Sequence, residues 1–327
     1  MTNQRLKMPS FHMVALVAGA AALATQISVL VEPETVAPER TERPAQTVSA
    51  QKGHVVEPAS TKALEFVFGT VGFDLKQVRR GSEPVPAIYV SSLPDDLGFI
   101  DEVGRKKKLF FSAVLPLVLS ANERVSRDRA KLVRLRDRVL DGANLHSSEK
   151  DWLLRLADRY GVESSGDIDR PLLNALNRRV DVVPVSLALA QAAVESGWGS
   201  SRFARHGNAL FGQRAWSDDK GIVPTERTDS EGHVVRKYDT LLSSVSSYIH
   251  NLNTHPSYSD FRSYREEMRE SGERLDGKRL AGGLLAYAEI GEEYVDILRR
   301  VIEKNRLNEL DDALLNRNIV TAFNQAG

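Results

Sequence analysis

The chain has 327 residues, and its 44 lysines and arginines are balanced by 44 aspartates and glutamates, so the formal net charge is zero. This balance gives no electrostatic argument for nucleic-acid binding, because contacts to phosphates need a surplus of basic residues. Cysteine is absent, which excludes disulfides, cysteine nucleophiles and cysteine-based zinc sites together.

The N-terminus has the features of an export signal. Arg5 and Lys7 precede an uncharged apolar run in which Ala22-Leu23-Ala24 fits the rule for signal-peptide cleavage. Apolar residues continue beyond this site to about the length that spans a bilayer, so an uncleaved anchor is the alternative. Residues 1–31 are therefore predicted to be a signal peptide or membrane anchor that engages the inner membrane at least transiently. The rest of the chain is expected in the cell envelope, as a periplasmic, secreted or membrane-anchored protein.

The next two segments differ in composition. Residues 32–58 are rich in Pro, Glu, Thr, Ala and Gln and have almost no aliphatic pattern. Such a segment cannot bury enough apolar surface to offset its ordering entropy, so it is predicted to be a disordered linker. Within residues 59–180, apolar side chains recur at helical spacing between Asp101 and Arg138, and another helical pattern starts at Ser148. These residues are predicted to form a helical extension packed on the domain that follows.

A short apolar helix ends in the most informative carboxylate. Pro184 suits a first helical turn, apolar residues lead up to Glu195, and Ser196-Gly-Trp-Gly199 then breaks the helix. The negative end of the helix dipole and desolvation by Val194 and Trp198 are expected to raise the pKa of the Glu195 carboxyl. A general acid needs a raised pKa near neutral pH. Taken alone, Glu195 is also compatible with an ordinary surface glutamate at a helix end.

Downstream, the apolar pattern is no longer helical between Gly221 and Tyr238. The β-branched residues Ile222, Val223, Val234 and Val235 flank the turn sequence Asp229-Ser-Glu-Gly232, which predicts a β-hairpin. Helical patterns resume over Leu242–Leu252 and Lys278–Asn305. The chain is therefore predicted to be mainly α-helical with one small sheet element.

Four ordered motifs occupy the second half of the chain: Gln191–Ser200, Asn208–Gly212, Asn251–Tyr258 and Gly291–Tyr294. Together they resemble the glucosaminidases of glycoside hydrolase family 73. The segment Arg105–Glu123 is in addition similar to the Bax-type bacterial envelope proteins within that family. The resemblance implies an α+β, mainly α-helical fold. Its lysozyme-like catalytic domain, which contains the small β-hairpin, would cover residues 181–307, and residues 308–327 would form a C-terminal tail.

The resemblance also implies roles for individual residues. Glu195 corresponds to the catalytic acid of the family. A second catalytic carboxylate is expected on the hairpin, where Glu226 is the first candidate and Asp229 and Glu231 are alternatives. The flagellar members carry an aspartate at the position of Ser247. This difference leaves two routes open: inversion with a protein base, or retention with attack by the 2-acetamido group of the substrate.

Substrate contacts are expected from the other residues of the motifs, namely Trp198, Asn208, Phe211, Tyr248, Tyr258 and Tyr294. Trp198, Phe211, Tyr248 and Tyr258 would offer ring faces to sugars, although each one taken singly is more often a core residue. Tyr294 corresponds to a tyrosine that lines the cleft of the family. The predicted function is an endo-β-N-acetylglucosaminidase that hydrolyses peptidoglycan, with the glycan strands as partner and no metal or organic cofactor. A catalytically idle peptidoglycan-binding or scaffold module and a muramyl-peptide amidase are the alternatives.

Overall fold

The computed structural model describes residues 53–215, 221–222 and 234–318. The predicted signal or anchor, nearly all of the predicted linker, and the hairpin residues Glu226, Asp229 and Glu231 lie outside these ranges. The described residues are mainly helical with few short strands, which confirms the predicted fold class. Within the same ranges, no helix combines the length and the apolar character needed to cross a membrane.

The α-helices of the described residues differ widely in length. They are α1 (Thr61–Thr70), α2 (Leu75–Arg79), α3 (Val103–Leu140), α4 (Ser147–Arg159), α5 (Arg170–Arg179), α6 (Val185–Glu195), α7 (Arg202–Gly207), α8 (Leu241–Thr254), α9 (Ser259–Glu270), α10 (Gly277–Ala281) and α11 (Glu292–Lys304). Short 3-10 helices cover Asp95–Phe99, Pro256–Tyr258, Gly282–Tyr287 and Leu307–Leu310.

The strands form three small sheets. β1 (His54–Val56) pairs in parallel with β3 (Ile88–Val90), and β2 (Val85–Pro86) pairs in parallel with β7 (Leu315–Asn316). The third sheet has the order β4 (Arg214–Ala215), β6 (Val234–Arg236), β5 (Gly221–Ile222), with antiparallel pairing throughout. The pairing of Ile222 with Val235 is the pairing expected of the predicted hairpin, whereas β4 is too short for its pattern to be recognised in the sequence.

α3 is the central helix of the hydrophobic core. Every residue from Leu109 to Leu119 is buried, including Pro116 inside the helix, and the helix packs against both α6 and α8. A helix that is apolar on all sides is stable in water only when other elements surround it. Full burial of each large apolar side chain contributes about 1.5–3 kcal/mol. α3 therefore holds the site-bearing helices α6 and α8 in one common core.

Two expectations from the sequence need correction. The predicted linker ended at residue 58, but His54–Val56 already form β1, because backbone pairing with β3 compensates for the weak aliphatic pattern. The pattern over Lys278–Asn305 suggested one continuous stretch of helix. The structure divides this stretch into α10, a 3-10 helix and α11, and Gly291, with φ of +47°, precedes α11. A left-handed residue cannot continue a right-handed helix.

The N-terminus of α6 is capped by a residue that is distant in the sequence. Pro184 offers no side-chain cap, and the Ser186 amide and hydroxyl instead donate to Asp311, at 2.7 and 2.8 Å. Burial raises the pKa of Asp311 to about 6, although the hydrogen bonds from Ser186 act in the opposite direction. The segment after residue 307, interpreted from the sequence as a tail, thus contributes to the stability of α6.

A buried aspartate connects α3 to α9. Asp181 is 2% exposed. Arg269 donates to both of its carboxylate oxygens at 3.0 Å, and Arg129 Nη1 lies 3.5 Å from Oδ2. Burial alone would raise the pKa of Asp181, but Arg265, Arg269 and Arg129 together hold it below its ordinary value. The ionised carboxylate therefore stabilises the arrangement of the helices around it.

Candidate active site

Glu195 is the last residue of α6, as the sequence predicts, and a left-handed turn follows it. Gly197, Trp198 and Gly199 all have positive φ angles, of 56°, 59° and 77°. A Cβ on Gly199 would lie 2.6 Å from Leu93 Cδ1, so only glycine fits there. The Ser196 hydroxyl accepts from the Gly199 amide at 2.9 Å. This turn directs the chain away from the carboxylate and leaves Glu195 partly exposed.

The environment of the Glu195 carboxyl favours its protonated form. Burial raises its pKa to about 7, whereas the hydrogen bond from Tyr294 lowers it. Tyr294 Oη donates to Oε1 at 2.6 Å. The other oxygen of the Glu195 carboxyl, Oε2, would lie 3.8 Å from a Cβ atom added to Gly212. A carboxyl with a pKa near 7 is substantially protonated at neutral pH and can donate its proton to a leaving group.

Behind Glu195, buried polar groups form a hydrogen-bonded chain. Tyr248 Oη donates to Gln191 Oε1 at 2.6 Å, and Gln191 Nε2 donates to Tyr294 Oη at 3.0 Å. All three side chains are fully buried. Burial raises the pKa of both tyrosines well above the ordinary value, so they remain neutral phenols. Gln191 was not among the predicted site residues. The signal in the sequence is that it lies one turn before Glu195 and is polar among the apolar residues between Leu187 and Val194.

Aromatic rings form a wall around this chain. Phe211 stacks on Tyr248 with centroids 3.8 Å apart, and Tyr287 stacks on Tyr294 at 5.4 Å. Tyr287 also donates to the Phe211 carbonyl at 3.1 Å. The ring centroids of Tyr258 and Tyr287 are 5.8 Å apart, and burial raises the pKa of Tyr258 to about 12. The wall brings Glu195 together with rings from α8, α11 and two 3-10 helices.

Phe211, Tyr248 and Tyr258, which are expected to offer ring faces to sugars, are buried in the described structure, so their contact with a sugar stays a prediction. Tyr248 and Tyr294 are 0% exposed and Phe211 is 2% exposed, so protein atoms cover these rings. Tyr258, at 6% exposed, is almost as deeply buried. The reason is tertiary: these rings pack on one another, which no spacing in the sequence reveals.

Two more predicted contact residues have structural surroundings. The ring of Trp198 makes edge-to-face contacts with Phe110 and Phe111 on α3, and Lys107 Nζ lies 4.5 Å from its centroid. Asn208 ends α7 in a left-handed conformation and donates to the carbonyls of Tyr238 and Asp239. A direct contact of Trp198 or Asn208 with a sugar therefore stays a prediction.

The position of the second catalytic carboxylate also stays a prediction. Glu226 and its alternatives lie outside the described residues, in the segment between β5 and β6. At the position where flagellar members carry an aspartate, the Ser247 hydroxyl lies 3.1 Å from Tyr238 Oη. This serine cannot act as a base at neutral pH without an activating group.

The comparisons with known proteins agree with this geometry. Residues 170–307 match the glucosaminidase family, described as mannosyl-glycoprotein endo-beta-N-acetylglucosaminidase. The chain is 32% identical to the protein bax of Escherichia coli K12 over 216 residues, which are 66% of this chain and 75% of that protein. The chain belongs to the Bax-type glucosaminidase family. This membership confirms the resemblance that the motifs indicate.

Other relatives of this Bax-type glucosaminidase match a shorter region. The peptidoglycan hydrolase FlgJ of Salmonella typhimurium is 33% identical over 130 residues, which are 36% of each chain. FlgJ of Escherichia coli K12 is 38% identical over 88 residues, 23% of this chain and 28% of that protein. No solved structure matches the chain. The family is thus one of glycosidase type related to peptidoglycan.

Proposed function

We propose that the protein is a peptidoglycan hydrolase of the cell envelope, an endo-β-N-acetylglucosaminidase that cleaves β-1,4 glycosidic bonds with Glu195 as general acid. The observation that carries this proposal is the carboxyl of Glu195, partly exposed and with a pKa raised to about 7 by burial. In a family of glycosidase type, such a group has the properties needed to protonate a glycosidic oxygen.

The chemistry follows from the position of Glu195. As the bond between the anomeric carbon and the glycosidic oxygen lengthens, Glu195 transfers its proton to that oxygen and becomes a carboxylate. Tyr294 is already placed to donate to this carboxylate, at 2.6 Å. A hydrogen bond to a charged acceptor is stronger than one to a neutral acceptor, so this contact strengthens as the proton leaves.

The group that attacks the opposite face of the sugar has two candidates. If Glu226 acts as a base for water, the product has inverted stereochemistry; Asp229 and Glu231 are alternatives for the same role. If the 2-acetamido oxygen of the substrate attacks, the stereochemistry is retained. NMR of the product anomer immediately after cleavage separates these routes, and we place Glu226 first because it lies within the predicted strand.

The decisive experiment is digestion of purified peptidoglycan by the protein and by Glu195→Gln. Mass spectrometry should find fragments with N-acetylglucosamine at the reducing end for the wild type and almost none for the variant. Glu163→Gln, which changes an exposed glutamate of a loop, is the matched control and should digest like the wild type. Equal digestion by Glu195→Gln would exclude this residue as the acid.

The same digest tests the alternatives. Free stem peptides without glycan cleavage would identify an amidase. Co-sedimentation with peptidoglycan in the absence of any cleavage would identify a binding module. Export is tested separately by a phosphatase fused after residue 60, because that enzyme is active only in an oxidising compartment. A well-expressed but inactive fusion would contradict the envelope location.

A further inference from the structure

The hydrogen bonds behind Glu195 all run in one direction. They lead from the Tyr248 hydroxyl to the Gln191 carbonyl oxygen, from the Gln191 amide nitrogen to the Tyr294 oxygen, and from the Tyr294 hydroxyl to Glu195 Oε1. The three donor side chains come from α8, α6 and α11 and are fully buried. Water therefore does not replace any of these contacts.

The hydroxyl of Tyr248 selects this direction. If the Gln191 amide were flipped, its nitrogen would face Tyr248, and the buried Tyr248 O–H would lose its acceptor. An unsatisfied buried donor is costly, so the observed orientation is preferred. In that orientation Tyr294 accepts a hydrogen bond from Gln191, and its single proton remains for Glu195.

We propose that Tyr248 and Gln191 are positioning residues that make Tyr294 a permanent donor to Oε1 of Glu195, so that the catalytic proton is carried by Oε2. This inference rests on the proposed role of Glu195 as general acid. Oε1 acts as an acceptor whether Glu195 is neutral or ionised. The transferable proton must then be bound to the other oxygen.

The surroundings of Oε2 agree with this role. Among the residues that the structure describes, Oε2 has no hydrogen-bond partner, and it is the neighbour that a Cβ on Gly212 would meet. Gly212 places no side chain beside Oε2, on the side from which a glycosidic oxygen would approach. In the reaction, the O–H bond at Oε2 breaks and a new O–H bond forms on the leaving sugar. The bond from that oxygen to the anomeric carbon breaks, and the anomeric carbon forms a new bond to water or to the 2-acetamido oxygen of the substrate.

The titratable groups that face Glu195 from the described elements are tyrosines. They are Tyr248 on α8, Tyr258 and Tyr287 on 3-10 helices, and Tyr294 on α11. All four have pKa values raised by burial, so they remain neutral while Glu195 titrates. The pKa of Glu195 is therefore a direct report on whether Tyr294 donates to it.

The test is a ¹³C NMR titration of the side-chain carboxyl of Glu195 in the full chain, with its signal assigned by its loss in Glu195→Gln. Loss of a donor destabilises the carboxylate, so the pKa should rise. Tyr294→Phe should raise it by about one pH unit, and Tyr248→Phe, which leaves Gln191 free to flip, by about half a unit. In the double variant, Tyr248→Phe should add nothing, because it acts through Tyr294.

Tyr287→Phe is the matched control. It also removes a buried tyrosine hydroxyl with one hydrogen bond, to the Phe211 carbonyl, but it lies outside the chain of donors. Its effect on thermal stability should be similar to that of Tyr248→Phe, with no change in the pKa of Glu195. An unchanged pKa in Tyr248→Phe, or an additive shift in the double variant, would overturn the proposal.

The activity measurement distinguishes failure of this inference from failure of the proposed function. The NMR titration needs no catalysis, so the chain of donors can be tested even if the protein cleaves no glycan. If it does cleave, the alkaline limb of the pH–rate profile should move upward in Tyr248→Phe by the same amount as the NMR pKa. Glycan cleavage with an unmoved limb and an unmoved pKa would contradict the inference alone.

Discussion

A carboxyl group with a raised pKa lies at each end of α6, and the two groups have different hydrogen-bond partners. At the C-terminal end, Glu195 has its pKa raised by burial to about 7, and at the N-terminal end Asp311 has its pKa raised by burial to about 6. Both oxygens of Asp311 accept from Ser186, whereas Glu195 has one oxygen held by Tyr294 and one beside Gly212. A raised pKa alone therefore does not identify a catalytic acid. The feature that separates the two is that Glu195 Oε2 has no hydrogen-bond partner among the described residues, whereas both oxygens of Asp311 accept from Ser186.

A third carboxyl, Asp181, shows the opposite response to burial. Its arginine neighbours hold its pKa below the ordinary value of 3.8, so it is ionised at any pH at which the protein works. The three carboxyl groups thus differ in their neighbours. Glu195 accepts from a phenol, Asp311 accepts from the N-terminus of α6, and Asp181 lies among guanidinium groups. Substitutions at Glu195, Asp181 and Asp311 should therefore have separate effects on activity and stability.

The largest effect is expected at Glu195. Glu195→Gln should reduce glycan cleavage by about a thousandfold, because general acid–base assistance has that scale. The pKa of Glu195 in the folded state, about 7, lies above the ordinary value of 4.5. The contribution of Glu195 to the free energy of unfolding is therefore fully present below pH 4.5 and is lost as the pH rises through 7. At pH 8 the variant should therefore be more stable than the wild type, by roughly 2 kcal/mol in chemical denaturation. A less stable variant would show that Glu195 has a structural role.

The next largest effect is expected at Asp181, and it concerns stability. Asp181→Asn leaves Arg265 and Arg269 without their buried counter-charge, which should lower the free energy of unfolding by roughly 3–5 kcal/mol. Since the folded-state pKa is depressed, the wild type should lose this contribution only as the pH falls below 3.8. Asp167→Asn, at an exposed position, is the control. Both variants are compared by urea denaturation above and below pH 3.8. Equal midpoints for the two variants would contradict the assignment.

The smallest effect is expected at Asp311. Asp311→Ala removes the acceptor of the Ser186 amide and hydroxyl, which should cost about 1–3 kcal/mol in unfolding free energy. Asp311→Asn keeps an oxygen acceptor and should cost less at pH 7, because it also removes a buried charge. Wild-type stability should decline between pH 3.8 and about 6 relative to Asp311→Asn, since the pKa is raised on folding. Cleavage per folded molecule should be unchanged in both, and a large loss would mean that the cap also positions Glu195.

Local features of the sequence were sufficient to predict the end of α6 and the nature of α3. Glu195 is followed by residues that adopt left-handed conformations, and glycine at positions 197 and 199 makes that turn accessible. The helical spacing of the apolar residues in α3 predicts a helix there. The family motifs are likewise contiguous segments. Each of these properties depends on neighbours within a few residues, which is why the sequence reveals them.

Tertiary packing alone decided how the site is supported. Tyr294 lies 99 residues from Glu195, Tyr248 lies 57 residues from Gln191, and Asp311 lies 125 residues from Ser186. Whether a tyrosine offers its ring to a sugar or its hydroxyl to a carboxylate depends on which helices cover it. The burial that sets the pKa of Glu195 depends on the same non-local contacts. The sequence predicted Glu195 as the candidate acid, and the packing of α6, α8 and α11 determined the donor to its carboxyl group.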